Sequence, residues 1–191
     1  MHSTATCRRL TAPAFILHPM TDLNCVVSEE EIARGVSDLA RRISEDYKDR
    51  DLVLVGVLNG AFIFLADLAR RLTIPHMVDF VRVKSYGRST ESAGVVTLVK
   101  DVELPLAGKD VLLVEDIIDT GLSLAFLKEH LAGRGARSLA VCVAVDKPER
   151  RVTAVDVDYR CFLIKEGFLV GYGLDCAERY RSLPAIYEIK P

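Results

Sequence analysis

Hydrophobic and polar residues alternate along this chain in two rhythms, one helical and one extended. Ile32, Val36, Leu39 and Ile43 recur at helical spacing. Ser28 and Glu31 form a capping box just ahead of them, so residues 29–47 are predicted as an amphipathic helix. Residues 52–58 are continuously apolar, the pattern of a strand buried on both faces. Asn59-Gly60 breaks that run, and helical spacing returns over 61–72. Residues 78–84 and 95–99 read as two more strands. Between them, 85–94 is small and polar with almost nothing to bury, which predicts a mobile loop. A second buried strand at 111–114 ends in Glu115-Asp116, and a short loop leads to a helix over 122–131 stopped by Gly133 and Gly135. A third buried strand at 138–145 ends at Asp146-Lys147-Pro148. Shorter strand-like runs follow at 159–164, 168–172 and 185–189, separated by charged turns.

Buried strands alternating with helices argue for an α/β architecture, a mostly parallel central sheet flanked by helices. No repeat, low-complexity tract or linker divides the chain, so residues 1–191 are read as a single domain. In such a sheet a ligand lies outside the carboxyl ends of the strands. The residues just beyond positions 58, 114 and 145 are therefore expected to share one crevice. They are Asn59-Gly60, Glu115-Asp116 with the segment from Asp119 to Ser123, and Asp146-Lys147.

Composition narrows the function. A chain of 191 residues can bury one sizeable core, and a net charge of −2 offers no global attraction for nucleic acid or an anionic membrane. The five cysteines (Cys7, Cys25, Cys142, Cys161 and Cys176) are odd in number and widely spaced, with no CxxC pair. That argues against a disulfide framework or a zinc site and for a reducing compartment. Cys142 lies in an apolar run and reads as a small buried hydrophobe, and Cys176 as an inert neighbour of Asp175. The four histidines are scattered and take no role. Arg8-Arg9 opens a faintly leader-like stretch, but Pro13 and His18-Pro19 interrupt it. No segment approaches the roughly 20 apolar residues needed to span a membrane. A cytoplasmic protein is expected.

Residues 111–123, Val-Leu-Leu-Val-Glu-Asp-Ile-Ile-Asp-Thr-Gly-Leu-Ser, carry the most chemistry. A buried strand delivers two adjacent carboxylates to the sheet edge, and a turn with Thr120, Gly121 and Ser123 enters a helix. Backbone N–H groups of that turn, with two hydroxyls, would make an anion cradle of the kind that holds a phosphate. Carboxylates beside it suit ribose hydroxyls, a divalent cation or a developing positive charge. An ordinary strand-to-helix turn with an Asp-Thr cap is the competing reading. By residue type alone, Lys147 reads as a solvated charge, Phe168 as core, and Asp175 with Arg181 as a surface pair.

This segment closely resembles the phosphoribosyl pyrophosphate signature of type I phosphoribosyltransferases, in the form found in their hypoxanthine/guanine branch. Further matches follow in order. Leu58-Asn59-Gly60 falls at the pyrophosphate loop, and Lys84-Ser85-Tyr86-Gly87 opens a segment similar to the active-site lid at 85–94. The run from Asp146 to Arg151 matches the purine-contact strand end of the bacterial form. The run from Phe168 to Asp175, with Arg181 beyond it, matches the base-binding segment. The resemblance covers about residues 50–185 and implies a small hood built from the N- and C-terminal segments. It also implies roles. Asp119 would be the general base at purine N7. Glu115 and Asp116 would hold the ribose hydroxyls and Mg2+, with Asp175 at a second Mg2+. Thr120, Gly121, Leu122 and Ser123 would bind the 5-phosphate. Lys147 would donate to the 6-oxygen, Phe168 would stack on the base and the Leu169 backbone would read its edge. Arg181, Asn59 and Gly60 would meet pyrophosphate beneath Ser85 and Tyr86. Departures are Asn59 and Ala61, where many relatives have Lys and Gly, and Gly167, where they often have a charged residue. The bond before Asn59 is often cis in that family.

The expected partners are phosphoribosyl pyrophosphate and a 6-oxopurine, with no nucleic acid or membrane, in a dimer or tetramer. A receiver domain starting at Val111 is excluded by length, because only about 80 residues remain where roughly 100 are needed. A same-fold enzyme preferring xanthine, or a regulator that reuses the fold to bind nucleic acid, is the remaining alternative. Asp119, Lys147 and the lid argue for catalysis over regulation.

Overall fold

The computed structural model describes residues 23–86 and 95–189, with Ser85, Tyr86 and Val95 as backbone. Of the lid expected at 85–94, residues 87–94 lie outside the described residues, as do Cys7, the Arg8-Arg9 stretch and His18. The chain opens on β1 (Leu23–Val27) and α1 (Glu29–Asp46). The predicted capping box starts α1: Ser28 Oγ accepts from Glu31 N at 3.2 Å, and Ser28 N donates to Glu31 Oε2 at 2.8 Å. Next come β2 (Leu52–Leu58), α2 (Phe62–Ala69), β3 (His76–Tyr86), β4 (Val95–Lys100), β5 (Asp110–Ile118) and α3 (Leu122–Ala132). They are followed by β6 (Ser138–Asp146), a 3-10 turn at Pro148–Arg150, β7 (Tyr159–Leu163), β8 (Phe168–Val170) and β9 (Ile186–Ile189).

Six strands form the central sheet in the order β4-β3-β2-β5-β6-β7, parallel except for the β3–β4 pair. β2 shows why its run is unbroken apolar. Leu52 and Leu54 face one core with α1 and Phe64, Leu65 and Leu68 of α2. Val53, Val55 and Val57 face another with Leu124, Leu127 and Leu131 of α3. Helices on both sides leave no wet face, so period-2 polarity is lost. A separate antiparallel sheet, β1-β9-β8, joins the two ends of the chain and is the expected hood. β1 has no counterpart in the sequence reading, because five residues of mixed polarity carry too little pattern. No described helix is long and apolar enough to cross a membrane.

Two boundaries differ in ways that matter. β5 runs on through Glu115, Asp116 and Ile117 to Ile118, because Ile117 and Ile118 stay paired with Val145 and Asp146 of β6. The two carboxylates therefore sit on the strand, not after it. β8 is shorter than expected, since Gly171, Tyr172 and Gly173 all adopt positive φ and turn the chain away. The strand order reverses between β2, which leads through α2 to β3 on one side, and β5 on the other. The crevice beyond their carboxyl ends is where a doubly wound sheet binds ligands.

Candidate active site

β5 ends at Ile118, and the chain turns through Asp119 and Thr120 to Gly121, the N-cap of α3, at φ 85. A Cβ at Gly121 would overlap the carbonyl of Thr153, so the turn lies close against a second segment. Leu122 N donates to Thr120 Oγ1 at 3.4 Å. Asp119, Thr120, Leu122 and Ser123 are all partly exposed around this helix start. Among the described residues, the N–H groups of Asp119, Thr120 and Gly121 donate to no protein carbonyl. The turn thus presents N–H groups and hydroxyls as an anion cradle would.

Beside it lie Glu115 and Asp116. Burial pushes the Glu115 carboxyl well above the usual carboxylate range, and the Asp116 charge pushes it further. Burial also raises Asp116, with backbone N–H groups and the Arg181 guanidinium working against the rise. A buried carboxyl beside a partly exposed one, each disfavouring the other's charge, is a good donor pair for a hard cation. Magnesium usually takes one or two carboxylates and completes its shell with water and substrate phosphates. The pair fits that pattern. Among the described residues no cluster of three or more His, Cys, Asp or Glu side chains forms a protein-only cage.

Lys147 follows the end of β6, and its N–H donates to the Ile118 carbonyl at 3.0 Å, which sets it one residue from Asp119. It is not a solvated charge: the residue is 7% exposed, and its ammonium meets Glu149 Oε2 at 3.0 Å. Phe168 departs from the core expectation, being 55% exposed on β8, while Leu169 beside it is buried. An exposed ring on a rigid strand has a free face to stack against. Gly167 precedes it at φ 98, with the Glu188 carboxylate where a side chain would point.

The hood closes the crevice from above. A Cβ on Gly173 would overlap the Gly60 carbonyl, and a Cβ on Gly60 would overlap the Asp116 carboxylate. β2, β5 and the hood thus meet at Gly60, and the Leu58–Asn59 bond before it is cis. Arg181 is no loose surface group: its side chain is 19% exposed and pairs with Asp175 Oδ1 at 2.8 Å. It also donates to the Gly173 carbonyl at 2.8 Å. Asp175 accepts from Glu178 N through its other oxygen.

Among the described residues, two buried side-chain polar atoms have no hydrogen-bond partner: Asp119 Oδ1 and Arg181 Nε. Such atoms are costly unless a ligand satisfies them. Asp119 lies three residues beyond Asp116, and Arg181 is tied to Gly173, which abuts Gly60 beside Asp116. Asp119 Oδ2 has only a distant partner, Arg150 Nη1 at 3.6 Å. The structure therefore brings together Asn59, Gly60, Glu115, Asp116, Asp119 to Ser123, Lys147, Asp175 and Arg181. Ser85 and Tyr86 end β3, and their side chains are outside the described residues. Sequence reasoning missed the part played by Arg151 and Gly173, whose contacts span long stretches of chain and leave no local signal.

The phosphoribosyl transferase domain family matches residues 26–177. Hypoxanthine phosphoribosyltransferase of Salmonella typhimurium is 45% identical over 166 residues, covering 86% of this chain and 93% of that one. Hypoxanthine-guanine phosphoribosyltransferase of Mycobacterium avium is 42% identical over 181 residues, covering 92% of this chain and 89% of the relative. A crystal structure of a hypoxanthine-guanine phosphoribosyltransferase from Bacillus anthracis superposes with a TM-score of 0.82 at 40% identity. That superposition covers 88% of this chain and 99% of the other.

Proposed function

Because the chain belongs to the phosphoribosyl transferase family, we propose that it joins hypoxanthine, and guanine with it, to the ribose 5-phosphate of phosphoribosyl pyrophosphate. The products are IMP or GMP and pyrophosphate, a step of purine salvage. The observation that carries this reading is the pair of orphaned polar atoms, Asp119 Oδ1 and Arg181 Nε. A transfer from a pyrophosphate leaving group to a purine nitrogen needs such a pair: an acceptor for the purine proton and a cation for the departing charge.

Substitution at ribose C1 passes through an oxocarbenium-like state. Asp119 Oδ1 accepts the N7 proton as the new bond forms, and no donor among the described residues occupies it. The Thr120–Ser123 cradle holds the 5-phosphate. Lys147 donates to the 6-oxygen, Phe168 stacks on the base, and the Leu169 backbone reads its edge. Glu115 and Asp116 face the ribose hydroxyls, and their charge favours the cationic ring. Arg181, with Asn59 and Gly60, meets the pyrophosphate. Glu115 and Asp116, and Asp175 for a second ion, are the residues that would hold Mg2+, which would supply charge neutralisation on the leaving group. The free thiols of Cys142, Cys161 and Cys176 among the described residues support a cytoplasmic setting, and the family resemblance supports a dimer or tetramer.

The test is nucleotide formation from phosphoribosyl pyrophosphate with hypoxanthine, guanine, xanthine or adenine, with and without a chelator. Chelator-sensitive product with hypoxanthine or guanine is expected, and Asp119→Asn should lower turnover by roughly 10²–10⁴-fold. Product from adenine or xanthine alone would overturn the base assignment. Undiminished turnover in Asp119→Asn would remove Asp119 as the base.

A further inference from the structure

Arg151 lies outside the groups placed against substrate, yet it is tied to the turn that carries them. Its Nε donates to the Asp119 carbonyl at 2.9 Å, and its Nη2 to the Ile118 carbonyl at 3.1 Å. The same Nη2 meets Asp146 Oδ1 at 2.7 Å, and Asp146 is held by Arg160 through its other oxygen at 3.0 Å. On either side of Arg151, backbone groups continue the pattern. Lys147 N donates to the Ile118 carbonyl, and Val152 N and Thr153 N both donate to the Thr120 carbonyl at 3.0 Å. The carbonyls of three consecutive residues, Ile118, Asp119 and Thr120, are thus drawn to one side.

In a trans peptide the C=O of one residue and the N–H of the next point in opposite directions. Pulling the three carbonyls toward 147–153 turns the N–H groups of Asp119, Thr120 and Gly121 to the opposite side, where no protein carbonyl takes them among the described residues. The geometry assigns Arg151 a positioning role: its guanidinium fixes the peptide planes of 118–120, so that the cradle N–H groups and the Asp119 side chain aim into the crevice. This rests on the reading of that turn as the phosphate and base-catalysis site. The fork shape matters. Arg151 reaches two carbonyls and a carboxylate from two nitrogens held in one plane, and a lysine ammonium is a single point on a flexible stem. Arg151→Lys keeps the charge and most of the packing but cannot keep both carbonyl bonds.

The experiment compares wild type, Arg151→Lys and Arg151→Ala in three measurements: thermal unfolding, calorimetric binding of ribose 5-phosphate, and steady-state kinetics with each substrate varied. Misplacing a reacting group by about 1 Å costs on the order of 10²-fold in rate. The expected result for Arg151→Lys is a loss of that order in kcat/KM for phosphoribosyl pyrophosphate and weaker ribose 5-phosphate binding. The KM for hypoxanthine should change much less, and unfolding should stay close to wild type. Exogenous guanidinium at millimolar concentration should restore part of the Arg151→Ala activity. Unchanged ribose 5-phosphate binding in Arg151→Lys, or a KM for hypoxanthine that rises as much as that for phosphoribosyl pyrophosphate, would overturn the assignment. If wild type binds ribose 5-phosphate but makes no nucleotide, the proposed reaction fails, and weakened binding in Arg151→Lys still supports the positioning role. Wild type that does not bind ribose 5-phosphate overturns both.

Discussion

Glu115 is buried beside Asp116, and burial together with that neighbouring charge holds its carboxyl well above the ordinary range. A carboxyl whose folded value lies above its unfolded one favours the fold below the unfolded value, and that contribution is lost as pH rises through the folded value. Relative to acid pH, Glu115 thus contributes less to the fold at neutral pH. Glu115→Gln should raise the unfolding temperature at pH 7 in chelator, with the gain shrinking toward pH 4, and should cut chelator-sensitive turnover. Thermal scans at the two pH values decide it, and a variant less stable than wild type at pH 7 would sink the idea. At this scale the sequence was informative where a motif carried the signal. The order of Glu115-Asp116, Asp119 and Thr120 in the sequence pointed to the end of β5 and its turn into α3, and the structure places them there. It misjudged by residue type where burial decides. Lys147 is buried and Phe168 exposed, the reverse of what a lysine at a strand end and a phenylalanine in an apolar run suggest.

Among the elements, the joint between β3 and the segment that follows β4 depends on one buried side chain. Asp79 Oδ1 accepts from Phe80 N at 2.7 Å, and Oδ2 accepts from Glu103 N and Leu104 N at 2.6 and 2.8 Å. Burial alone would raise this carboxyl, but those N–H groups and Lys100 outweigh it and hold it below the usual value. A lowered carboxyl stabilises above its unfolded value, and that stabilisation is lost as pH falls through the folded one. Asp79→Asn replaces an acceptor facing N–H donors with an amide, and should cost about 1–3 kcal/mol at pH 7. Denaturant titration should show the gap narrowing as pH falls below the ordinary carboxylate range; an unchanged gap would point to packing instead. The elements themselves were largely legible. α1 follows its capping box and apolar stripe, and β2 its unbroken hydrophobic run. β5 outran its predicted end because Ile117 and Ile118 pair with β6, a contact made across the sheet and not along the chain.

Across the whole molecule, the hood shares a core with the sheet and α2, where Val27, Leu169, Tyr172, Leu174 and Ile186 pack with Leu52, Leu54, Phe64 and Leu112. Tyr172 Oη donates to Asp67 of α2 at 2.9 Å, and Gly173 abuts the Gly60 carbonyl. Gly173 sits at φ 101, so Gly173→Ala would meet both backbone strain and a main-chain oxygen. The expected outcome is a loss of about 1–3 kcal/mol in stability, with kcat/KM for phosphoribosyl pyrophosphate falling about 10-fold or more as the hood lifts from Asn59-Gly60. Unfolding and kinetics on one preparation check it, and unaltered activity despite lower stability would show that the contact does not shape the site. Sequence by itself determined the types of most elements, the α/β class and the residues that line the strand ends. Those follow from hydrophobic period, caps and short motifs, which act over a few neighbouring positions. Only the tertiary structure decided that Arg151 turns back on 118–120, that Gly173 rests on Gly60, and that Asp119 Oδ1 and Arg181 Nε find no partner among the described residues. These contacts join residues tens to more than a hundred positions apart, and strand order and register set them, which no local pattern specifies.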